Sequence, residues 1–310
     1  MKAITFDTFG GPEVLKVSEL PDPVAGPGEV LVDVAASTVN PTDLMMRNGA
    51  QAAMMEHLAP PYIAGMEFSG TILDPGPSGL GKGQPVIGVV NPRTPKGGSY
   101  AEVIAVPAAS VAPLSPAADL IGAATIPMNA LTAALSLDFL GLEPGQTLFV
   151  TGGAGMLGGS AIQLGRAAGL TVLANVSDAD RVLVESLGAT HVLPRDEGLE
   201  EAARAICPDG VDGMIDGALI GQTLSHLVKD GGGIVSLRGS YKIEDPRLRV
   251  HNVSVLKGME DTETLKRIAD LIGSGGLVPR VAGSYVCTEA AAAHAATEAG
   301  GRRGRIVLLF

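Results

Sequence analysis

Cysteine is nearly missing from this chain: Cys207 and Cys287 are the only two, far apart in sequence. Two thiols cannot build a disulfide scaffold or a cysteine-based zinc site, and such sparing use fits a reducing cytoplasm. Tryptophan is absent and aromatics reach only 3%, so the cores must be built from Ala, Val, Leu, Ile and Met. Basic residues are outnumbered, 22 Lys and Arg against 33 Asp and Glu. The resulting net charge of −11 argues against a nucleic-acid surface, which would need a basic face. Long uncharged runs are scarce too. The one worth checking, "LIGAATIPMNALTAALSL" at 120–137, is diluted by Pro127, Asn129 and several Gly, Ser and Thr. It reads as a buried loop and helix, and no membrane span is expected. The opening residues "MKAITFDTFG" read as a strand and lack the apolar core of a signal peptide.

What the chain does have is glycine, 42 residues of it, and length enough at 310 residues for two domains. Residues 1–117 are β-rich: "EVLVDVAAST", "FSGTIL", "QPVIGVV" and "YAEVIAVPA" are short β-branched runs between Pro and Gly clusters. From about residue 145 strands alternate with helical spacing. "TLFVT", "LTVLANV", "THVL", "VDGMID", "GGIVSL" and "VSVLKG" are the strands. Helices are expected at 155–168, 179–188, 198–206 and 261–273. That alternation predicts an α/β fold with a doubly wound parallel sheet. The tail ends in the apolar strand "GRIVLLF" and has the character of the first region. The expected division is therefore 1–117 with 279–310 as one domain and 118–278 as a Rossmann nucleotide-binding domain.

"FVTGGAGMLGG" sets Gly153, Gly155 and Gly158 in G-x-G-x-x-G spacing, directly after a strand and opening a helix. Met156 and Leu157 lie inside the motif. The glycines allow a tight turn, backbone approach to a pyrophosphate and close helix–strand packing, and the helix start offers free N–H groups to the anion. The second strand ends in "LANVS", with Asn175 where an acidic residue would hold both ribose hydroxyls and repel a 2′-phosphate. Asn175 and Ser177 accommodate a phosphate, with Arg181 as cationic partner, although Asp178 and Asp180 share the turn. This favours NADPH over NADH.

Taken in order, "VNPTDLMMRNG", "PYIAGMEFSG", "GSYAEVIAVP", "IPMNALTAALSL", "LEPGQTLFVTGGAGMLGGSAIQLGRAAG", "SLGATHVL" and "GRIVLLF" cover nearly the whole chain. Together they resemble the medium-chain dehydrogenase/reductase superfamily, and within it the zinc-free quinone oxidoreductase branch. The resemblance implies a GroES-like catalytic domain plus a Rossmann domain, an active site in the cleft between them, and a homodimer. Position by position, Asn40 stands for the first zinc ligand of metal-dependent relatives, Met66 for the second, and Met128 falls near the third. Asn and Met are poor zinc ligands, so no metal is expected.

Without a Lewis acid to stabilise an alkoxide, a conjugated acceptor is the easier substrate: hydride adds to a β-carbon and the charge spreads onto a carbonyl. Expected is a zinc-independent transfer of hydride from NADPH to a quinone or to the C=C of an α,β-unsaturated carbonyl compound. The alternatives are an enoyl-thioester reductase and a non-catalytic NADPH-binding protein. By resemblance Asn40 borders the nicotinamide, touching it or donating to a substrate oxygen. Thr132 lies near ribose and phosphates. Leu237, Arg238 and Gly239 lie against the cofactor, and Tyr241, after the strand "GGIVSL", is the second candidate catalytic residue. Met45, Tyr62 and Met128 are the candidate pocket residues, each with core packing as its alternative. Besides a small-molecule substrate, no nucleic-acid or membrane partner is expected.

Overall fold

A computed structural model describes residues 1–237 and 242–310. In chain order the first elements are β1 (Lys2–Phe6), β2 (Lys16–Glu19), β3 (Glu29–Val39), α1 (Pro41–Arg47), β4 (Tyr62–Ile63), β5 (Glu67–Asp74), β6 (Pro85–Val89), β7 (Val103–Pro107) and β8 (Val111–Pro113). Helices α2 (Leu120–Ala123) and α3 (Pro127–Leu140) lead to the alternating part. There β9 (Thr147–Thr151), α4 (Met156–Ala167), β10 (Thr171–Val176), α5 (Arg181–Ser186), β11 (His191–Pro194) and α6 (Leu199–Ile206) follow one another. The alternation continues with β12 (Val211–Asp216), α7 (Gly221–Leu224), β13 (Val228–Ser236) and β14 (Arg249–Asn252). The chain closes with α8 (Thr262–Ser274), β15 (Val281–Val286), α9 (Ala290–Glu298) and β16 (Arg305–Leu309).

Two compact units result: Met1–Met128 with Met259–Gly275 and Pro279–Phe310, and Asn129–Gly258 with Gly276–Val278. Compared with the division expected at 117/118 and 278/279, residues 118–128 and 259–275 group with the first unit. Local bonds account for this. The Ser69 hydroxyl on β5 donates to Leu120 O of α2 at 2.6 Å, and Thr262 at the start of α8 donates to Ala109 O at 3.1 Å. Helix α8 itself begins and ends as the residue types require. Asp261 accepts from the Thr264 N–H at 3.1 Å, and Gly275 closes the helix at φ +76°.

The first unit is mostly antiparallel. Its main sheet runs β15-β16-β3-β5-β6-β8, with β7 also paired to β3, and a small sheet orders β2-β1-β4. Only β15 and β16 run parallel there. Apolar residues of alternate positions, Val30, Val32 and Val34 of β3 among them, pack with Ile4, Phe6, Phe68, Ile104 and Leu308 into one core. With so few aromatics, Phe6, Phe68 and Tyr100 carry much of the bulk.

The second unit is a six-stranded, wholly parallel sheet in the order β11-β10-β9-β12-β13-β14. Counted from its own first strand this reads 3-2-1-4-5-6, the doubly wound dinucleotide-binding order. The order reverses between β9 and β12, so the switch point lies at the ends of Thr151 and Asp216. Buried Phe149, Leu173, Met214 and Ile234 form the core on these strands, as near-continuous apolar runs do in parallel sheets. Among the described residues, no helix is long and apolar enough to cross a membrane.

Candidate active site

In the second unit the glycine loop leaves β9 through Gly152, at φ +67°. A left-handed backbone here lets the chain turn straight off the strand into α4. The Gly155 N–H closes the turn on Gly152 O at 2.9 Å. A Cβ on Gly158 would lie 2.3 Å from Gly152 O and 2.8 Å from Gly153 Cα, so the first turn of α4 can approach the loop only without a side chain. Gly153 is backed by Ala174 and Val176 of β10 and by Ile162 of α4. Met156 and Leu157 are buried on the first turn of α4. Backbone N–H groups at a bare helix start, without a side chain in front, fit a pyrophosphate.

The loop is locked from both neighbouring strands. Asn175 Oδ1 accepts the Gly152 N–H at 3.2 Å, and Asn175 O accepts the Gly153 N–H at 3.4 Å. Thr151 Oγ1 donates to Asp216 at 2.6 Å and accepts the Ala218 N–H at 3.0 Å. Asp216 also takes the N–H groups of Ile220 and Gly221 at 3.1 and 2.7 Å. Asn175 thus braces the loop with its oxygen and keeps its amide hydrogens for other partners. Ser177 donates to Asp180 at 2.7 Å, while Arg181 reaches Val192 O at 3.4 Å and Glu185 at 3.8 Å. Thr132 is half-buried on α3. Leu237 immediately follows β13, where the Ser236 hydroxyl is buried; Arg238, Gly239 and Tyr241 lie outside the described residues.

In the first unit the Asn-Pro stretch ends β3 and starts α1, with Pro41 at the first helical position. Asp43 caps this start: one carboxyl oxygen accepts the Asn40 N–H at 2.8 Å and the other the Gly65 N–H at 3.0 Å. Gly65 is itself required, since at φ +99° a Cβ would sit 2.5 Å from both the Ser99 hydroxyl and the Tyr100 ring. Around Asn40 three donors converge on Glu67. Thr38 Oγ1 and Asn40 Nδ2 donate to Oε1 at 2.5 and 2.9 Å, and the Met128 N–H donates to Oε2 at 2.8 Å. Asn40 Nδ2 also donates to Thr38 Oγ1 at 2.9 Å. Asn40, Thr38, Asp43 and Glu67 are all fully buried.

Hydrogen counting then fixes what Asn40 can do. A carboxyl oxygen accepting two donors orients the amide nitrogen toward Glu67, and both Nδ2 hydrogens are spent on Thr38 and Glu67. Asn40 Oδ1 remains, buried and without a partner. Donation to a substrate oxygen would require breaking one of these bonds, whereas acceptance through Oδ1 requires breaking none. Burial, with the nearby Glu67 adding to it, raises the Asp43 carboxyl to about 7 against the pull of its two N–H donors and Arg305.

Met66 is buried with its carbonyl accepting from the Val90 N–H at 2.9 Å. Tyr62 stacks on Phe9 with ring centroids 5.8 Å apart and lines a cavity of about 180 Å³ with His57, Pro61, Pro92 and Thr94. Met45, half-buried on α1, and Met128 are not among the residues lining that cavity. Among the described residues, no three His, Cys, Asp or Glu side chains come together as a metal site would need. Sequence reasoning missed Gly152, whose adjacency to Gly153 was its only signal, and the Thr38–Glu67 half of the Asn40 cluster.

A doubly wound sheet with a glycine-turned anion seat at its switch point, on one chain with an antiparallel unit, defines the nucleotide-dependent dehydrogenases and reductases. Comparison with known proteins makes this specific. Residues 26–116 match the alcohol dehydrogenase GroES-like domain and residues 187–308 match the zinc-binding dehydrogenase family. The rat (Rattus norvegicus) quinone oxidoreductase is 30% identical over 331 residues, covering 100% of this chain and 98% of that protein. The NADPH-dependent alkenal/one oxidoreductase of Arabidopsis thaliana is 28% identical over 320 residues, 99% of this chain and 79% of that protein. A mycobacterial protein solved in complex with NADPH superposes with a TM-score of 0.83 at 26% identity, each chain covered completely. The chain belongs to the medium-chain dehydrogenase/reductase superfamily, in its quinone-oxidoreductase-like branch. Its first unit is the GroES-like domain and its second the Rossmann domain.

Two outcomes follow from this geometry. Gly158→Ala drives a Cβ into backbone, so it should destabilise the second unit by about 1–3 kcal/mol and abolish dinucleotide binding, read by melting temperature and nucleotide fluorescence. The raised carboxyl of Asp43 means the native state holds this proton more tightly than the unfolded chain. Its contribution to stability is complete below about pH 4 and lost as pH rises through about 7. Chemical denaturation across that window should show the wild type losing stability with rising pH relative to Asp43→Asn.

Proposed function

We propose that the chain is a zinc-independent reductase that transfers hydride from NADPH to a quinone or to the C=C of an α,β-unsaturated carbonyl compound. The carrying observation is the Asn40–Glu67–Met128 cluster. By the family resemblance Asn40 and Met66 stand where metal-dependent relatives hold two zinc ligands and Met128 falls near the third, and the adjacent Glu67 carboxyl accepts three hydrogen bonds from the chain's own groups. An amide and two thioethers are a poor donor set for zinc, which takes thiolate, imidazole or carboxylate. Without that Lewis acid an alkoxide has no stabilising partner, whereas a conjugated acceptor delocalises the incoming charge over its own carbonyl. The names of the rat and Arabidopsis relatives, a quinone oxidoreductase and an alkenal/one oxidoreductase, support this substrate class.

NADPH, when bound, supplies the hydride. The chain's part is to seat the pyrophosphate on the Gly152–Gly158 loop, to keep that loop rigid through Asn175, Thr151 and Asp216, and to offer Asn40 Oδ1 as an acceptor for an N–H or O–H of the ligand. Preference for the 2′-phosphate is supported by Asn175 in place of an acid, by the Arg181 side chain at the same strand end, and by the names of the Arabidopsis relative and the mycobacterial complex. Two free thiols, Cys207 and Cys287, support a reducing cytoplasm as the place of action. A homodimer is proposed as well, consistent with β14 being an edge strand of the parallel sheet.

NADPH oxidation, followed at its near-ultraviolet absorbance with a panel of quinones and short enones and repeated with NADH and with a chelator, tests the reading. Turnover of one class that prefers NADPH and survives chelation is expected. Chelator-sensitive alcohol oxidation would sink the metal-free assignment, and tight NADPH binding without turnover would make this a binding protein. Arg181→Glu should weaken NADPH binding about tenfold while leaving NADH binding within about twofold, as measured by titration calorimetry.

A further inference from the structure

Adjoining the Asn40 cluster, the first unit buries a second set of polar side chains that the proposed chemistry does not use. Arg47, at the end of α1, is almost wholly buried. Its Nε donates to Gly10 O at 3.2 Å, one terminal nitrogen pairs with the Glu298 carboxylate, and the other lies 3.4 Å from His294 Nδ1. His294 Nε2 lies 3.1 Å from the Tyr100 hydroxyl, and that hydroxyl lies 3.3 Å from Thr38 O. His294 and Tyr100 are fully buried, on α9 and just before β7.

The direction of this chain is dictated by its ends. A guanidinium can only donate, so His294 Nδ1 accepts and the ring proton sits on Nε2. Nε2–H then donates to Tyr100, and the single tyrosine hydrogen goes to Thr38 O, a carbonyl that can only accept. Burial, reinforced by the Arg47 charge, lowers His294 to about 3, which keeps the ring neutral as this order requires. Thr38 is the shared member: its carbonyl takes Tyr100, while its hydroxyl binds Glu67 and Asn40. Apolar side chains of similar volume would fill this space at less desolvation cost, so packing alone does not explain the polar choice.

We propose that Tyr100 and His294, backed by Arg47, are positioning residues that hold the β3–α1 junction through Thr38, so that Asn40 keeps Oδ1 directed to the ligand. This rests on the reductase reading for its effect on rate, and the test separates the two. Tyr100→Phe keeps the ring and removes the hydroxyl; His294→Leu removes both ring nitrogens; His294→Gln restores an N–H donor toward Tyr100. For each, kcat and KM of NADPH oxidation, the NADPH dissociation constant and hydrogen–deuterium exchange over residues 38–44 are measured. Tyr100→Phe and His294→Leu should lower kcat about tenfold, leave NADPH affinity within about twofold and speed exchange at 38–44, and His294→Gln should recover most of both. In the wild type, ring nitrogen-15 NMR should show a neutral Nε2–H tautomer at pH 6. Unchanged kcat and exchange in Tyr100→Phe, a His294→Gln variant as impaired as His294→Leu, or a charged ring would each overturn the proposal. A wild type that turns over no quinone or enone refutes the reductase reading instead, and exchange alone then decides the positioning.

Discussion

The buried carboxyl of Glu67 is the constraint around which the first unit's candidate site is built. It draws three donors from two separate pieces of chain: Thr38 and Asn40 at the β3–α1 junction, and Met128 at the start of α3. A buried carboxyl left unpaired would cost several kcal/mol. Each donor therefore has its place imposed by the need to satisfy the acid, and Asn40 inherits its amide orientation from that demand. Asp43 answers a different need, tying the α1 start to Gly65. Burial is what raises Asp43 so far above an ordinary aspartate, with the nearby Glu67 adding to it.

The fold was largely legible, because its signals are local and repeated. The switch from β-branched runs to strand–helix alternation marks the change of architecture, and helices expected at 155–168, 198–206 and 261–273 form at Met156–Ala167, Leu199–Ile206 and Thr262–Ser274. The doubly wound nucleotide-binding sheet follows from the same pattern, and the GroES-like character of the first unit from the family motifs. The allegiance of α8 was not legible. Its spacing announces a helix but carries nothing about which sheet it covers, and a single bond such as Thr262 to Ala109 O depends on residues more than 150 apart in sequence.

The sites divide along the same line. The glycine motif could be read because each residue's role is set by its immediate neighbours, yet Gly152 escaped, since the left-handed turn falls one residue before the spaced motif begins. From its strand position Asn175 is expected to accommodate a phosphate. Its oxygen also braces the loop, a bond across 23 residues that spacing cannot reveal. Around Asn40 the limit is sharper still. The motif places the residue, but hydrogen-bond direction comes from Glu67, which lies 27 residues away in sequence.

Under the proposed zinc-free reading, an amide at residue 40 also has consequences for the charge of the site. Glu67 is compensated by neutral donors from Thr38, Asn40 and the Met128 backbone, and at residue 40 an asparagine amide adds no negative charge where a thiolate would. Met66 and Met128 add none. Asn40 therefore does two jobs that pull in the same direction. Its nitrogen satisfies the acid, and doing so leaves its buried oxygen as the group without a partner. A thiolate could accept but not donate, so under the zinc-free reading proposed above Asn40 and Glu67 act as one electrostatic unit.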